Sequence, residues 1–475
     1  MHEFLIVCLY KKCSGVERNM KTIQRMIKSF IIFLIANLSI IFTLPVFTKY
    51  QENLYGVPGV IMRLILLLLF IVIMIRPMKT DQQLSRNLLS LCSGCELLRL
   101  FIVNIIPTTI LQIYALVLSI KGIREGMLTS WFGSFLIMLL LENIVFWNGM
   151  IRIYLQSLQL GIKHRIMALV CAWIPGLNIY YLGKMICIVQ DEVDFEGDKY
   201  KLDQKRADEQ ICKTKYPLVM VHGVFFSDFR YLNYWGRTPA ELIKNGASIY
   251  YGSQQSAASV EECGKEIADC IRKIVEETGC GKVNIIAHSK GGLDARAAIK
   301  RYGAAPYVAS LTTINTPHRG CIFADYLLNK ISDGIKNTVA GSYNTAVKKF
   351  GDTSPDFIAA VSDLTASACE RFNENTPDTA EILYESVMSY CKTAVSGQFP
   401  LNLSYNLVKH FDGKNDGLVA IESASWGSHT TLVLPAGKRG ISHGDMIDLN
   451  RANISGFDVR EFYVQLVSRL KQRGY

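Results

Sequence analysis

Ser289 lies in a five-residue pattern, A-H-S-K-G at positions 287–291, that suits a nucleophilic serine. An apolar stretch typical of a strand ends at this pattern, and a helical pattern follows it. A serine at such a tight turn projects its hydroxyl outward, and small residues two positions before and after it relieve the crowding. The alternative is an ordinary serine that caps the helix. The flanking strand and helix favour the nucleophile, which predicts acyl transfer through a covalent intermediate.

Two backbone N–H groups are candidates for stabilising the negative charge that develops in acyl transfer. Lys290 follows the serine at the start of the predicted helix, where free N–H groups and the helix dipole favour an anion. The second donor is expected in the turn His222-Gly223-Val224, at the N–H of Val224. The alternative for this histidine-glycine pair is a simple chain reversal.

A nucleophilic serine needs a general base, and the chain contains eight histidines. With this kind of turn, the usual chain order is serine, acid and then histidine. That order leaves His429 and His443 as the late candidates. His443 lies in a polar loop, I-S-H-G-D, that follows the strand-like stretch 431–435. We therefore favour His443 as the base.

The acid that orients the base is expected at the end of the preceding strand. Residues 411–419 have the sequence F-D-G-K-N-D-G-L-V, which offers Asp412 and Asp416. An aspartate beside a glycine is also a common turn residue. From the residues alone, both aspartates therefore remain candidates for the acid that orients the base.

Five motifs occur in the chain in a fixed order, and as a set they resemble the bacterial triacylglycerol lipases of the α/β-hydrolase superfamily. The motifs are H-G-V-F-F (222–226), A-H-S-K-G-G (287–292), N-T-P-H-R-G (315–320), N-D-G-L-V (415–419) and S-H-G-D (442–445). The resemblance covers roughly residues 215–473. It does not include residues 1–190, which secreted lipases of this kind lack.

The resemblance implies a role for each candidate residue. The nucleophile falls on Ser289 and the base on His443. The acid of this family is the aspartate of N-D-G, which selects Asp416 over Asp412. The oxyanion donors are again expected at two N–H groups, those of Val224 and Lys290.

The resemblance also raises the question of a metal ion. Some of these lipases bind calcium through a carboxylate two residues after the catalytic histidine, the position of Asp445. A second carboxylate is expected upstream of the acid, and residues 393–398 contain none. We therefore expect no cofactor and keep calcium near Asp445 as a weak alternative.

The region 215–475 alternates predicted strands with predicted helices. Apolar stretches predict strands at 216–221, 247–251, 283–287 and 308–314. Helical patterns lie between them. This alternation predicts an α/β hydrolase with a mainly parallel sheet and helices on both sides.

An insertion at about residues 321–400 carries helical apolar spacing. The spacing is seen in Phe323, Leu327, Ile331 and Ile335, and again from Phe357 to Phe372. It predicts amphipathic helices that form a lid over an acyl pocket and meet lipid when open. The alternative is a fixed cap, and the two interpretations are compatible.

Residues 1–190 predict an all-α transmembrane domain. A membrane-spanning helix needs about 20 mainly apolar residues. Five segments approach that length: 30–47, 60–75, 100–120, 127–146 and 166–189. Residues 1–190 hold 18 Lys and Arg against 7 Asp and Glu, a balance of +11, and residues 191–475 hold 33 against 34, so the net charge of +10 comes from the first region. The basic residues flank apolar segments, which excludes a nucleic-acid-binding domain.

The loop charges predict an orientation in the cell membrane. Basic residues number thirteen on one side of the five segments and three on the other, so the amino terminus is expected in the cytoplasm. Five crossings would place the catalytic domain outside the cytoplasm. A hairpin at Pro175-Gly176 would instead return the catalytic domain to the cytoplasm.

The seven cysteines after residue 190, an odd number, argue against an oxidising compartment. Residues 191–214, with 13 charges in 24 positions, predict a solvated linker.

Together these patterns predict a membrane-anchored serine esterase or lipase that hydrolyses carboxylic esters, with lipid acyl esters and the bilayer as its partners. An acyltransferase or amidase would use the same residues, because the sequence does not identify the acceptor of the acyl group. A rival of another class is a membrane sensor or scaffold with an inactive hydrolase fold. No protein partner is inferred.

Overall fold

The computed structural model describes residues 15–43, 56–76, 84–121, 127–224, 234–330, 356–396, 404–434 and 439–475. The chain forms two compact units, Met1–Lys205 and Arg206–Tyr475. The boundary therefore follows Lys205, later than the expected end of the membrane domain at residue 190.

The first unit is helical throughout its described residues. Its helices are α1 (Gly15–Thr43), α2 (Val57–Ile75), α3 (Arg86–Ile120), α4 (Met127–Gln156), α5 (Gly161–Cys171) and α6 (Leu177–Lys205). Within the described residues, four stretches are long and apolar enough to cross a membrane: Thr22–Ile41, Val57–Ile75, Arg86–Ile120 and Leu128–Gln156. They correspond to the first four predicted spans.

The predicted fifth span, 166–189, is not one continuous helix. It is divided between α5 and α6, with turns between Cys171 and Leu177. Gly176 adopts a φ of +80°, a conformation that glycine tolerates well, in this break directly before α6 begins. The 11 residues of α5 extend about 16 Å, roughly half the thickness of the hydrocarbon core.

The predicted linker, 191–214, is also wrong over most of its length. Helix α6 continues through the charged stretch to Lys205. Glu192 is buried and accepts hydrogen bonds from Ser157 Oγ at 2.5 Å and the Leu158 N–H at 2.9 Å. The Lys199 ammonium pairs with the buried Asp203 carboxylate, also at 2.5 Å. These charges are paired within the unit rather than solvated.

The second unit is built on a parallel sheet. Its strands are β1 (Leu218–Val221), β2 (Ile249–Tyr251), β3 (Val283–His288), β4 (Val308–Ile314), β5 (Leu383–Ser389) and β6 (His429–Val433). In the described residues their order is β2-β1-β3-β4-β5-β6, and each neighbouring pair is parallel. The predicted α/β-hydrolase fold is therefore confirmed.

Helices cover both faces of this sheet. They are α7 (Thr238–Lys244), α8 (Val260–Thr278), α9 (Gly291–Lys300), α10 (Ile322–Lys330), α11 (Phe357–Ser362), α12 (Ala366–Asn375), α13 (Tyr405–Asp412), α14 (Ile421–Ala424) and α15 (Val459–Gln472). Successive residues of β1 point to opposite faces. Met220 joins the core that α15 covers, whereas Val221 joins the core that α8 and α9 cover. Burial on both faces explains the continuous apolar strands.

The predicted helical insertion is shorter than 321–400. Helices α10, α11 and α12 lie within it, but Leu383–Ser389 forms β5, which pairs with β4 and β6 inside the sheet. The helical pattern from Phe357 to Phe372 is interrupted after Ser362, and the Thr365 hydroxyl caps α12. Residues 331–355, which include Ile331 and Ile335, lie outside the described residues.

Candidate active site

Ser289 occupies the turn between β3 and α9 with a φ of +55°. This left-handed conformation is unfavourable for a non-glycine residue and is often found at functional sites. The surrounding contacts hold it in place. The Ser289 N–H donates to the Ile314 carbonyl at 2.9 Å. A Cβ added to Gly291 would lie 2.3 Å from the His222 carbonyl oxygen, so only glycine lets the turn after β1 approach so closely.

The two residues predicted to donate to an oxyanion lie in segments next to Ser289. A Cβ added to Gly223 would lie 2.7 Å from Ser289 Cβ, which places the turn that carries Val224 directly against the nucleophile. Lys290 precedes α9, so its N–H lies at the positive end of that helix. Both residues are buried. These positions are compatible with the prediction that the two N–H groups stabilise an oxyanion.

The side chain of Lys290 points away from this chemistry. Its ammonium is buried and donates to Asp294 Oδ1 at 2.7 Å and to Cys263 Sγ at 3.4 Å. Burial raises the pKa of Asp294 to about 7, and the adjacent ammonium opposes that rise. Because the lysine charge is held below the turn, only its backbone N–H is available to an oxyanion.

Asp416 and His443 form a buried pair. Asp416 Oδ2 lies 2.7 Å from His443 Nδ1, and the His443 N–H donates to the Asp416 carbonyl at 2.9 Å. The same carboxylate accepts from Asn315 Nδ2 at 2.6 Å and from the N–H groups of Leu418 and Val419 at 2.9 and 2.8 Å. A carboxylate at Nδ1 favours the tautomer with its proton there, which leaves Nε2 free to accept one.

Asp412, the other candidate acid, has a different position. Its carboxylate accepts hydrogen bonds from the N–H groups of Ile322 and Phe323, at 2.9 and 3.2 Å. It therefore caps the first turn of α10, where a negative charge is favourable. Of the two aspartates, the structure brings Asp416 to the histidine.

His429, the other candidate base, lies at the far edge of the sheet. It is the first residue of β6 and is exposed, and its Nδ1 lies 2.9 Å from Ser428 Oγ. Ser289 follows the carboxyl end of β3. In a parallel sheet the amino ends of all strands lie at one end of the sheet and the carboxyl ends at the other. His429 and Ser289 therefore lie at opposite ends of the sheet.

Two aromatic side chains support the site and were missed by sequence reasoning. The His288 ring lies 4.4 Å from the His443 ring between centroids, and Tyr234 OH is 2.7 Å from His288 Nδ1. Burial lowers the pKa of His288 well below its ordinary value, which keeps this ring neutral against His443. The position of His288 beside the nucleophile was the available signal, whereas the contact with Tyr234 spans 54 residues.

Asp445, the residue considered for calcium, is bonded to an arginine. Both oxygens of Asp445 accept from Arg439, at 2.8 and 2.9 Å, and Oδ2 also accepts from the N–H and hydroxyl of Ser442. The described residues contain no cluster of three metal-ligating side chains. Since a guanidinium already neutralises Asp445, the donor set does not fit a calcium ion.

The carboxy-terminal unit matches known hydrolases. Residues 217–358 match the family described as palmitoyl protein thioesterase. A triacylglycerol lipase of Burkholderia plantarii is 32% identical over 185 residues, covering 36% of this chain and 51% of the relative. A triacylglycerol lipase of Pseudarthrobacter phenanthrenivorans is 33% identical over 178 residues, and the match covers 34% of this chain and 54% of the relative.

A longer match is the triacylglycerol lipase of Vibrio cholerae serotype O1. It is 28% identical over 288 residues, and the match covers 55% of this chain and 89% of the relative. The chain spans about half the length of the first two relatives.

Proposed function

We propose that the chain is a membrane-anchored serine esterase that cleaves acyl esters of lipids, and that its carboxy-terminal unit is a lipase of the α/β-hydrolase type, as its similarity to triacylglycerol lipases and its parallel sheet support. One observation carries the proposal. Asp416 and His443 form a buried hydrogen bond of 2.7 Å, and the His443 ring lies 4.4 Å from the ring of His288, the residue before Ser289 with its left-handed φ. A carboxylate that orients a histidine is the arrangement that activates a serine hydroxyl.

In the first half of the proposed reaction, Ser289 Oγ attacks the ester carbonyl and His443 Nε2 takes its proton. Asp416 stabilises the resulting imidazolium. The carbonyl oxygen gains negative charge and is stabilised by the N–H groups of Val224 and Lys290. The carbon–oxygen bond to the alcohol then breaks, and the alcohol leaves with the proton held by His443.

In the second half, water takes the place of the alcohol. His443 removes a proton from the water as its oxygen attacks the acyl carbonyl. The bond to Ser289 breaks, and the serine regains its proton from His443. The products are a carboxylic acid and a free enzyme, so the cycle needs no cofactor.

The membrane unit supports a lipid as the substrate. Four described helices are long and apolar enough to cross a bilayer. An esterase attached to them works where lipid esters are concentrated, without needing a high affinity for a soluble substrate.

Four crossings and the loop charges support a revised orientation. We propose that the hydrolase unit faces the cytoplasm, because an even number of crossings returns the chain to the side of its basic amino terminus. The seven cysteines of this unit form no disulfide, and an odd number of cysteines is unusual for a disulfide framework. The earlier expectation of an extracytoplasmic unit depended on 166–189 crossing once.

A membrane-impermeant maleimide tests this orientation. A cysteine at the exposed Glu277, introduced as Glu277→Cys, should react only after the membrane is opened. A cysteine introduced as Arg124→Cys, in the loop expected on the other side, should react with intact cells. The unchanged chain gives the background from native thiols. Reaction of the Glu277→Cys chain in intact cells would place the hydrolase unit outside.

A second substrate class is favoured by the match to the palmitoyl protein thioesterase family. A thioester passes through the same acyl-enzyme, with a thiol as the leaving group. The two classes are distinguished by comparing kcat/KM for an oxygen ester and a thioester with the same acyl chain. We expect the oxygen ester to be preferred, in line with the longer lipase match.

Hydrolysis assays with serine variants test the main proposal. Ser289→Ala should abolish release of fatty acid from emulsified triacylglycerol and from short soluble esters. Ser253→Ala is a matched control, since Ser253 is an exposed serine that also has a left-handed φ, of 54°. Full activity in Ser289→Ala would reject the nucleophile. Acyl transfer to an alcohol or amine without net hydrolysis would favour a transferase.

A further inference from the structure

Most buried polar side chains of the membrane unit are paired across helices. Ser29 Oγ donates to Asn104 Oδ1 at 2.7 Å. Gln112 Nε2 donates to Asn37 Oδ1 at 3.0 Å and lies 3.2 Å from Ser134 Oγ. Such contacts are the usual way in which polar side chains are accommodated among transmembrane helices.

Glu142 on α4 departs from this pattern. It is 2% exposed, and neither of its carboxyl oxygens has a hydrogen-bond partner among the described residues. Gln112 Oε1 on α3 is also buried without a partner there. Unpaired polar oxygens in an apolar environment are costly, and ionisable residues within membrane helices frequently mark functional sites.

The two side chains line the same cavity. It has a volume of about 720 Å³ and lies between α3, α4 and the α5–α6 region. Its walls are mainly apolar, with Phe101, Phe135 and Met185 among the lining side chains. The volume is within the usual range of about 300–1,000 Å³ for small-molecule sites. A mostly apolar chamber with unpaired acceptors suits an amphiphilic ligand.

We propose that this cavity binds a lipid whose aliphatic chain contacts the apolar walls and whose head donates hydrogen bonds to Glu142 and Gln112. Three unpaired acceptor oxygens require donors, and the described lining contains no lysine or arginine to supply them. A hydroxyl or an ammonium head provides such donors. Phosphate-diester and carboxylate heads bring only acceptor oxygens, so they do not satisfy the unpaired oxygens of Glu142 and Gln112.

Trp131 provides a reporter at this cavity. Its side chain is part of the lining, and its indole N–H donates to the Gln112 carbonyl at 3.0 Å. A bound lipid with bromine on its chain should therefore quench Trp131 fluorescence. The signal is isolated by subtracting the quenching seen in Trp131→Phe from that in the full chain.

The binding experiment uses the full chain in detergent micelles and three brominated oleoyl probes. Monoolein carries hydroxyl donors, oleylamine carries an ammonium, and methyl oleate carries no donor. At least one donor probe should bind about tenfold more tightly than methyl oleate, because it satisfies buried oxygens that methyl oleate leaves unpaired. The comparison of monoolein with oleylamine identifies which donor head the site takes.

Substitutions test whether Glu142 produces this preference. Glu142→Leu should remove the difference between donor probes and methyl oleate. Asp198→Asn removes the same charge from an exposed position on α6 and should leave the difference unchanged. Monodisperse elution in micelles and retained quenching of Trp131 by methyl oleate, which does not depend on a donor head, check that the membrane unit of each variant is folded.

A second variant covers the case in which Glu142→Leu does not fold. Ala172→Phe would place an aromatic ring in the cavity while leaving Glu142 in place, and it should weaken quenching by all three probes. Three results would overturn the proposal. They are equal binding of methyl oleate and both donor probes, a donor preference that survives Glu142→Leu, and the absence of quenching at Trp131.

Discussion

The two units of the chain differ in how many hydrogen bonds a buried carboxyl group accepts from the described residues. In the hydrolase unit, Asp416 is 1% exposed and accepts hydrogen bonds from four residues: Asn315, Leu418, Val419 and His443. In the membrane unit, Glu142 is 2% exposed and accepts none from the described residues. Both side chains are removed from water, but among the described residues only Asp416 has hydrogen-bond partners.

This difference bears on what each group can do. A carboxylate whose acceptor positions are all used has one fixed geometry, so it is suited to orienting a neighbour such as His443. A carboxyl group without partners keeps its hydrogen-bonding capacity for a molecule that comes from outside. The fully bonded carboxylate suits the catalytic role proposed for it, and the incompletely bonded carboxyl suits the proposed lipid binding.

The largest expected effect comes from changing the bonded carboxylate. Asp416→Asn presents an amide N–H to His443 Nδ1 and so favours the tautomer that cannot accept the serine proton. We expect kcat to fall by about 10⁴-fold, the loss typical of such a change. Asp412→Asn is the matched control, because Asp412 caps α10. Its kcat should change by less than about tenfold, and equal losses in both variants would contradict the assignment of Asp416.

The second largest effect is expected from removing the membrane unit. A chain that begins at Arg206 lacks the membrane unit but keeps every residue of the proposed site. Its kcat/KM for a short soluble ester should match that of the full chain. Its rate on bilayer lipids should fall by about tenfold or more, because the enzyme is no longer held at its substrate. Equal rates of the two chains on vesicles would show that the membrane unit does not present substrate.

A smaller effect is expected from pH. Burial holds the pKa values of His288 and His318 well below the ordinary 6.5, so both rings are neutral in the folded state. The unfolded chain takes up these protons as the pH falls below about 6.5. Stability is therefore full above that pH and declines below it, by up to about 1.4 kcal/mol per pH unit for each histidine.

Removing one histidine tests this pH dependence. In His318→Gln, the decline of the urea midpoint for activity loss between about pH 6.5 and 5 should be shallower than in the unchanged chain. His429→Gln, at an exposed position of β6, should retain the original slope. A slope that is the same in all three chains would show that His318 does not set the acid sensitivity.

The parts of the fold that local sequence encodes were predictable. The strand 283–287 is a continuous apolar run, and the small residues around Ser289 identify the turn after it. The structure confirms this strand and helix. Asp416 and His443, separated by 27 positions, were assigned by their chain order and resemblance, and the structure places them in hydrogen-bond contact.

The errors arose where distant contacts or a single turn decide the structure. Hydropathy alone did not locate the end of α5 before Pro175-Gly176. The charged residues 191–205 continue helix α6. Glu192 in this stretch accepts hydrogen bonds from Ser157 and Leu158, contacts that a linear pattern does not reveal. Strand β5 contains polar residues and is defined by its pairing with β4 and β6.

Fluorophosphonate labelling tests the central claim most directly, since it reports an activated serine without assuming a substrate. The full chain should form one adduct, and peptide mapping should place that adduct on Ser289. Ser289→Ala should not be labelled, and Asp416→Asn should be labelled far more slowly. Ser253→Ala should be labelled as the unchanged chain is. An adduct on another serine, or undiminished labelling of Ser289→Ala, would contradict the account.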